Sequence, residues 1–324
     1  MFKKKFFKVF LVNIIIIIFI LITFEIFIKI FKLANLFGID NNCIDSGEKY
    51  AFKKENECIV FGVKTYTDKK GYRIPEKTIN YNNNNSIVFL GDSVTFGNGV
   101  IEEKTFVGRL RSKKKNFNVY NISLPGFQIE DHLENLKKVE EISNIESLFY
   151  VFSINDIQKK NVIKKNLPAI KNTTEKLRSL SFFNNLNTFL RDRSYSYIYF
   201  KGILTDPSKR WFEYDFNYFK NSNINDLKFF FEELIKIKNL KQFNLSVIIL
   251  PYEYQTRKDK CNSYFLYPQL KLKEILNEIN IDFLDLVDFF CKNKNPNDLY
   301  YKFDHMHLSD IGHENVYNFL IKTF

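Results

Sequence analysis

Proline and methionine are scarce in this chain, seven and two among 324 residues. Disordered segments are rich in proline and poor in aromatics. Here 17% of the residues are aromatic, 36 of them Phe, so the composition excludes extended disorder and predicts a packed body. No CxxC pair and no Cys/His cluster occurs, which removes the usual zinc frameworks. No internal repeat is present. Nor does a nucleic-acid-binding motif accompany the net charge of +11. The lysines sit in short scattered runs (Lys3–Lys5, Lys69–Lys70, Lys113–Lys115, Lys164–Lys165) among Asn, Ile and Phe. That pattern resembles a coding bias, and no nucleic-acid partner is expected.

What is present begins with a long apolar run. Residues 9–28 read VFLVNIIIIIFILITFEIFI, interrupted only by Asn13 before Glu25. About twenty helical residues at 1.5 Å each cover a bilayer core of roughly 30 Å. The run is preceded by Lys3, Lys4, Lys5 and Lys8, and Phe24–Leu33 holds no small-residue cleavage signal. The expectation is an uncleaved signal anchor, residues 1–33, with a cytoplasmic N-terminus and an extracytoplasmic body. Lys29 and Lys32, on the far side, are fewer than the lysines before the span. All four cysteines follow it. Pairings Cys43–Cys58 and Cys261–Cys291 are expected in an oxidising compartment, out of three possible connectivities.

Residues 34–85 are polar and turn-rich, and are expected to be a linker or N-terminal extension. From residue 86 to 324 strands and helices alternate. Ser86–Leu90, Asn118–Ile122, Ser147–Ser153, Leu245–Leu250 and Ile281–Leu286 read as strands. Lys104–Lys114, Ile129–Ile142, 226–241, Leu270–Ile279 and Ser309–Leu320 read as helices, the last with Ser309 as N-cap. This order predicts a three-layer α/β/α domain with a mainly parallel five-stranded sheet. Residues 158–225 break the alternation and read as an insertion, either a lid or a neutral surface excursion. His132, mid-helix, is expected at the surface.

Ligands of open α/β sheets sit beyond the carboxyl ends of the strands. There Gly91-Asp92-Ser93 follows the first strand, where a helix start favours an anion. Asp304-His305-Met306-His307 precedes the last helix, and a carboxylate three residues before an imidazole can hold its tautomer. Gly126 and Asn155, after the middle strands, offer a backbone N–H and a side-chain amide to an oxyanion. A metal site on His305 and His307 is the competing reading of that loop; His305 and His313 otherwise read as structural.

These blocks resemble the SGNH/GDSL hydrolase family. The matches are Gly91-Asp92-Ser93 with Thr95 and Gly97, then Gly126, then Asn155-Asp156, then Asp304 and His307. Ser153 departs from the glycine usual at that position, which bears on the orientation of Asn155. The resemblance implies a flavodoxin-like sheet, with no cofactor or metal. Ser93 would be the nucleophile, His307 its base and Asp304 the orienting acid. The Ser93 and Gly126 N–H groups and the Asn155 amide would form the oxyanion hole. The activity implied is hydrolysis or transfer of acyl esters, O-acetyl groups on envelope or exported carbohydrate foremost. A lipase or thioesterase acting on lipid esters at the membrane is the alternative, and a catalytically silent envelope scaffold a further one.

Overall fold

In a computed structural model of the chain, residues 2–45, 47, 51–76, 79–82, 84–159, 181–293 and 295–322 are described. The first helix, α1 (Phe2–Ile30), contains Phe7–Ile30, long and apolar enough to cross a membrane or to serve as a signal sequence. Two small antiparallel sheets follow. One pairs β1 (Ile44–Asp45) with β2 (Ala51–Phe52); the other joins β3 (Glu57–Val60), β4 (Val63–Thr67) and β5 (Arg73–Ile74). Both sheets lie among the described residues of 34–85, the expected linker or N-terminal extension. Their polar sequence conceals alternate burial, as in Cys58 and Val60, whose side chains join Phe96, Leu124 and Phe127 in a second core.

The main sheet is made of β6 (Ser86–Gly91), β7 (Asn118–Asn121), β8 (Ile145–Phe152), β9 (Asn244–Ile249) and β10 (Asp282–Asp285). It is ordered β10-β9-β8-β6-β7 and parallel throughout. The first strand therefore lies between the second and third, the flavodoxin-like order. Every residue of β6 is buried, as a strand covered on both faces requires. Helices α2 (Ser93–Phe96), α3 (Phe106–Lys113) and α4 (Ile129–Glu141) intervene between the first strands. The described part of the insertion supplies α5 (Ser181–Arg193), α6 (Tyr195–Thr205) and α7 (Pro207–Asn221). Residues 160–180 lie outside the described residues. Then come α8 (Asn225–Lys241), α9 (Glu253–Thr256), α10 (Tyr267–Glu278), α11 (Val287–Cys291) and α12 (Asp310–Leu320). The pairs α3–α12 and α4–α8 build the outer layers, giving the α/β/α sandwich. Cys43 is paired with Cys58 and Cys261 with Cys291.

His132 corrects the surface expectation: it is fully buried. The inward stripe of α4 runs Ile129, His132, Leu136, Val139, one register position from the stripe that starts at Leu133. The ring packs among Phe127, Tyr150 and Phe230, with Nε2 3.3 Å from Asp156 Oδ1.

Candidate active site

A flavodoxin-like sheet changes direction between its first and third strands, and a crevice opens there. In this chain β6 delivers Gly91-Asp92-Ser93 to one side of the crevice and β8 delivers Ser153-Ile154-Asn155 to the other. The turn after β6 is tight. A Cβ on Gly91 would stand 2.2 Å from Thr95 Oγ1, so any side chain there displaces the turn that carries Ser93. Asp92 caps α2 by accepting from the Val94 N–H at 2.9 Å, and Gly97, at φ +82, ends it in the left-handed region. With only one turn, α2 contributes local N–H groups more than a macrodipole.

Arg73, on β5, reaches under this turn. Its buried guanidinium donates to the carbonyls of Phe96, Gly97 (2.7 Å) and Val100, and lies 4.8 Å over the Phe96 ring. Burial first, then the nearby Arg111 charge, pushes Arg73 down to about 9. The N-terminal extension thereby clamps the turn that carries Ser93. No motif signals this, because an isolated arginine in a short strand resembles a surface residue.

The second half comes from the loop before α12. Backbone bonds hold it in place: Tyr301 N–H to His307 O and Glu253 N–H to His305 O. Asp304 Oδ1 accepts from the Met306 and His307 N–H groups, both at 2.9 Å, which leaves Oδ2 for the imidazole. His307 Nδ1 lies 2.7 Å from Asp304 Oδ2, and its Nε2 lies 2.9 Å from Ser93 Oγ. Burial opposes charge on Asp304, but the imidazole's charge and hydrogen bond prevail and hold its carboxyl well below the ordinary range. Burial likewise opposes charge on His307. The Asp304 charge and hydrogen bond, with Asp92 behind, outweigh it and raise its pKa above the usual value. One imidazole is thus flanked by a carboxylate and a hydroxyl, an arrangement through which a proton can pass between Ser93 Oγ and His307.

Asn155 is fixed at both ends. Its Nδ2 donates to Asp92 Oδ2 at 3.3 Å, and its Oδ1 accepts from the Tyr252 hydroxyl at 3.0 Å. Ser153, the departure from glycine, donates its hydroxyl to Asp92 Oδ1 at 3.3 Å and so strengthens the anchor of Asn155. Burial, then the charge of Asp156, pushes Asp92 up to about 6. Gly126 stands exposed in the turn after β7 with φ +78, outside the hydrogen-bond network that joins Ser93, His307, Asp304, Asp92 and Asn155.

Of the two histidines of the competing metal reading, His307 has both ring nitrogens within hydrogen-bond distance of Asp304 and Ser93. Among the described residues no group of three or more His, Cys, Asp or Glu is disposed around a common point. His313 Nδ1 accepts from the Phe106 N–H, and burial, first, pushes that imidazole down to about 3, a structural role.

Phe61 was not legible as a site residue. It sits at the tip of the β3–β4 hairpin with φ +50, followed by Gly62 at +75, and its ring stands 5.0 Å from that of His307. Two positive φ values match the type I′ hairpin turn. Phe-Gly between strand-like runs signals a hairpin, but nothing in it says what the tip covers. Ser93 and His307 are only 6% and 7% exposed. Beside them opens a cleft of about 1280 Å³, lined by Phe61, Tyr301, Phe303, Tyr195, Lys29 and Lys302 among others. Ser93 and His307 do not line the cleft themselves; Phe61 and Tyr301 are the shared wall.

Fold and site together define a Ser–His–Asp relay on a flavodoxin-like sheet. The chain is similar in fold to solved structures of the lipolytic G-D-S-L family. One, from Veillonella parvula, is 13% identical with a TM-score of 0.45, over 74% of this chain and 97% of that one. A lipase/acylhydrolase from Enterococcus faecalis is 17% identical with a TM-score of 0.44, over 74% and 94%. The acetyl xylan esterase AlAXEase is 14% identical with a TM-score of 0.43, over 74% and 98%. No protein-family profile matches the chain, and no curated protein sequence does.

Proposed function

We propose that the chain is a serine ester hydrolase of the SGNH/GDSL type. The observation that carries this is the unbroken relay from Ser93 Oγ through His307 to Asp304, at 2.9 and 2.7 Å. His307 takes the Ser93 proton as the hydroxyl attacks an acyl carbonyl, then returns it to the leaving alcohol. The oxyanion is received by the N–H groups of Ser93 and Gly126 and by the Asn155 amide. Water, or a sugar hydroxyl, releases the acyl group from Ser93.

The preferred substrate is an O-acetyl ester on envelope or exported carbohydrate. Phe61 over His307 and the near-complete burial of Ser93 suit a short acyl group. The adjoining cleft, with lysines and tyrosines on its walls, suits a bulky polar alcohol. One observation favours long acyl chains instead. Phe200, Ile203 and Leu204 form an exposed apolar face on α6, with Leu204 80% exposed. Turnover of acetyl and long-chain p-nitrophenyl esters separates the two, together with acetate release from the organism's envelope glycans. A rate at least tenfold higher on acetyl ester is expected, because each extra methylene would need room beside a nearly buried Ser93 and an imidazole already packed by the Phe61 ring. Preference for long chains overturns the carbohydrate assignment.

The membrane reading is proposed with it: α1 stays attached as an anchor and the hydrolase faces outward. The Glu25 carboxylate accepts from the Ser194 hydroxyl and from the Tyr195 and Ser196 N–H groups, capping α6. Phe24 stacks on Phe200 at 5.1 Å. Removing α1 would leave the Tyr195 and Ser196 N–H groups without the Glu25 carboxylate, with only the Ser194 N-cap remaining on that helix start, which supports retention. Protease added outside intact spheroplasts should digest the body of the chain; digestion only after lysis would reverse the orientation.

A further inference from the structure

The insertion helix α7 carries a buried carboxyl that the relay does not use. Asp215 is 4% exposed. Its Oδ1 accepts from Gln158 Nε2 at 2.6 Å, and its Oδ2 stands 3.0 Å from the Tyr252 hydroxyl. The same hydroxyl is 3.0 Å from Asn155 Oδ1. A phenol has one proton, and these two contacts each ask for it. The orientation of Asn155 is set independently: its NH2 group faces the acceptor Asp92, so its carbonyl oxygen must face Tyr252.

The conflict resolves in only one way that satisfies every group. Asp215 carries a proton on Oδ2 and donates it to the Tyr252 oxygen. Tyr252 then donates to Asn155 Oδ1, and Asn155 donates to Asp92, keeping its second N–H for an incoming oxyanion. When Asp215 is ionised, the Tyr252 proton turns to the carboxylate. The phenol oxygen then presents a lone pair to Asn155 Oδ1, and the amide loses its anchor.

We propose that protonated Asp215 is a positioning residue that orients the Asn155 oxyanion donor through Tyr252, making the hydrolase sensitive to alkaline pH. The inference rests on the serine-hydrolase reading of Ser93 and Asn155. The surroundings favour the protonated acid. Burial first, and then Asp92 and Asp156 behind it, push Asp215 up to about 7, against the lowering effect of the Tyr252 and Gln158 bonds. His305, from the catalytic loop, faces Asp215 Oδ2 at 3.9 Å, but its burial brings it down to about 4, so it is neutral there. It stacks on Trp211 of α7 and against Tyr252, closing the cluster from solvent. Burial raises Tyr252 well above its usual value, so the phenol keeps its proton throughout.

The test is the pH profile of kcat for the full-length chain on a short-chain ester, in wild type, Asp215→Asn, Tyr252→Phe and Ser93→Ala. Wild-type kcat should fall above neutrality. An asparagine at 215 presents its NH2 to Tyr252 and its oxygen to Gln158 at every pH, so its profile should stay level through the alkaline range. Tyr252→Phe should lower kcat about tenfold or more, with KM unchanged, since the oxyanion exists only in the transition state. It should also lose the alkaline fall. A wild type with no alkaline fall overturns the proposal, as does an Asp215→Asn or Tyr252→Phe profile that falls as wild type does. Should Asp215→Asn not fold by thermal melt, the Tyr252→Phe profile decides alone. Ser93→Ala separates the two levels. Its turnover at the wild-type rate defeats the hydrolase reading, whereas an inactive Ser93→Ala with unmoved limbs defeats only the role of Asp215.

Discussion

Ser93→Ala is expected to lose labelling by a serine-directed fluorophosphonate and to lower kcat on an acetyl ester by about a millionfold, the scale seen when a triad nucleophile is removed. The size follows from the way the relay is built. Without Oγ, His307 Nε2 has no hydroxyl to deprotonate. A water in its place lacks the fixed approach that the α2 turn gives Ser93, where Asp92 bonds the Val94 N–H and Arg73 grips three carbonyls. Residual rate above solution would come from the oxyanion donors and binding alone. Equal labelling of wild type and variant, measured on folded protein, removes Ser93 as nucleophile.

Asp304→Asn is the second large effect, a fall in kcat of about ten-thousandfold with little change in KM. The local geometry dictates the sign. Two backbone N–H groups, from Met306 and His307, hold one oxygen of the side chain at 2.9 Å. An asparagine must leave its carbonyl oxygen there and turn its NH2 toward His307 Nδ1. That imidazole nitrogen then has to accept, which places the ring proton on Nε2, opposite Ser93, where an acceptor is needed. The pH–rate profile supplies a second readout. Asp304 raises the pKa of His307, so in wild type the active neutral imidazole appears only as pH climbs through a value above its usual one. Losing the carboxylate lowers that pKa, and the acid limb should move to lower pH. A variant with a normal rate, or with an acid limb moved upward, contradicts this role for Asp304.

Several parts of the molecule were legible because they depend on neighbours in sequence. Ser86–Leu90 is an unbroken apolar run flanked by turn residues, and it became β6, buried along its length. Ser309 before Asp310–Leu320 became the N-cap that accepts from the Gly312 N–H at 3.1 Å. Asp304 and His307 meet within one turn, so their spacing alone implied contact. Element ends differed by one to three residues, the largest at the helix expected from Leu270 that starts at Tyr267, where fraying leaves propensity indifferent.

Other residues were invisible for a common reason. His132 sits one register position from the stripe that the leucines suggest, and its burial depends on rings brought from β8 and α8. Phe61 and Arg73 lie in a polar stretch whose short strands carry too few residues for periodicity to register. Asp215 and Tyr252 are 37 residues apart and belong to different layers; only closure of the insertion against the sheet sets them around one proton.

By itself, then, the order of amino acids determined the alternation of strands and helices, an apolar N-terminal helix, which serine follows the first strand of the main sheet and which aspartate and histidine precede the last helix. Local propensity and short-range hydrogen bonding are enough for those. The tertiary structure alone decided which aromatic side chain stands against His307, which arginine clamps the Ser93 turn, and which buried acid shares a phenol with the Asn155 amide. Those contacts join segments far apart in the chain. Their energies come from desolvation and from completing hydrogen bonds in the interior, and both exist only once the layers have closed.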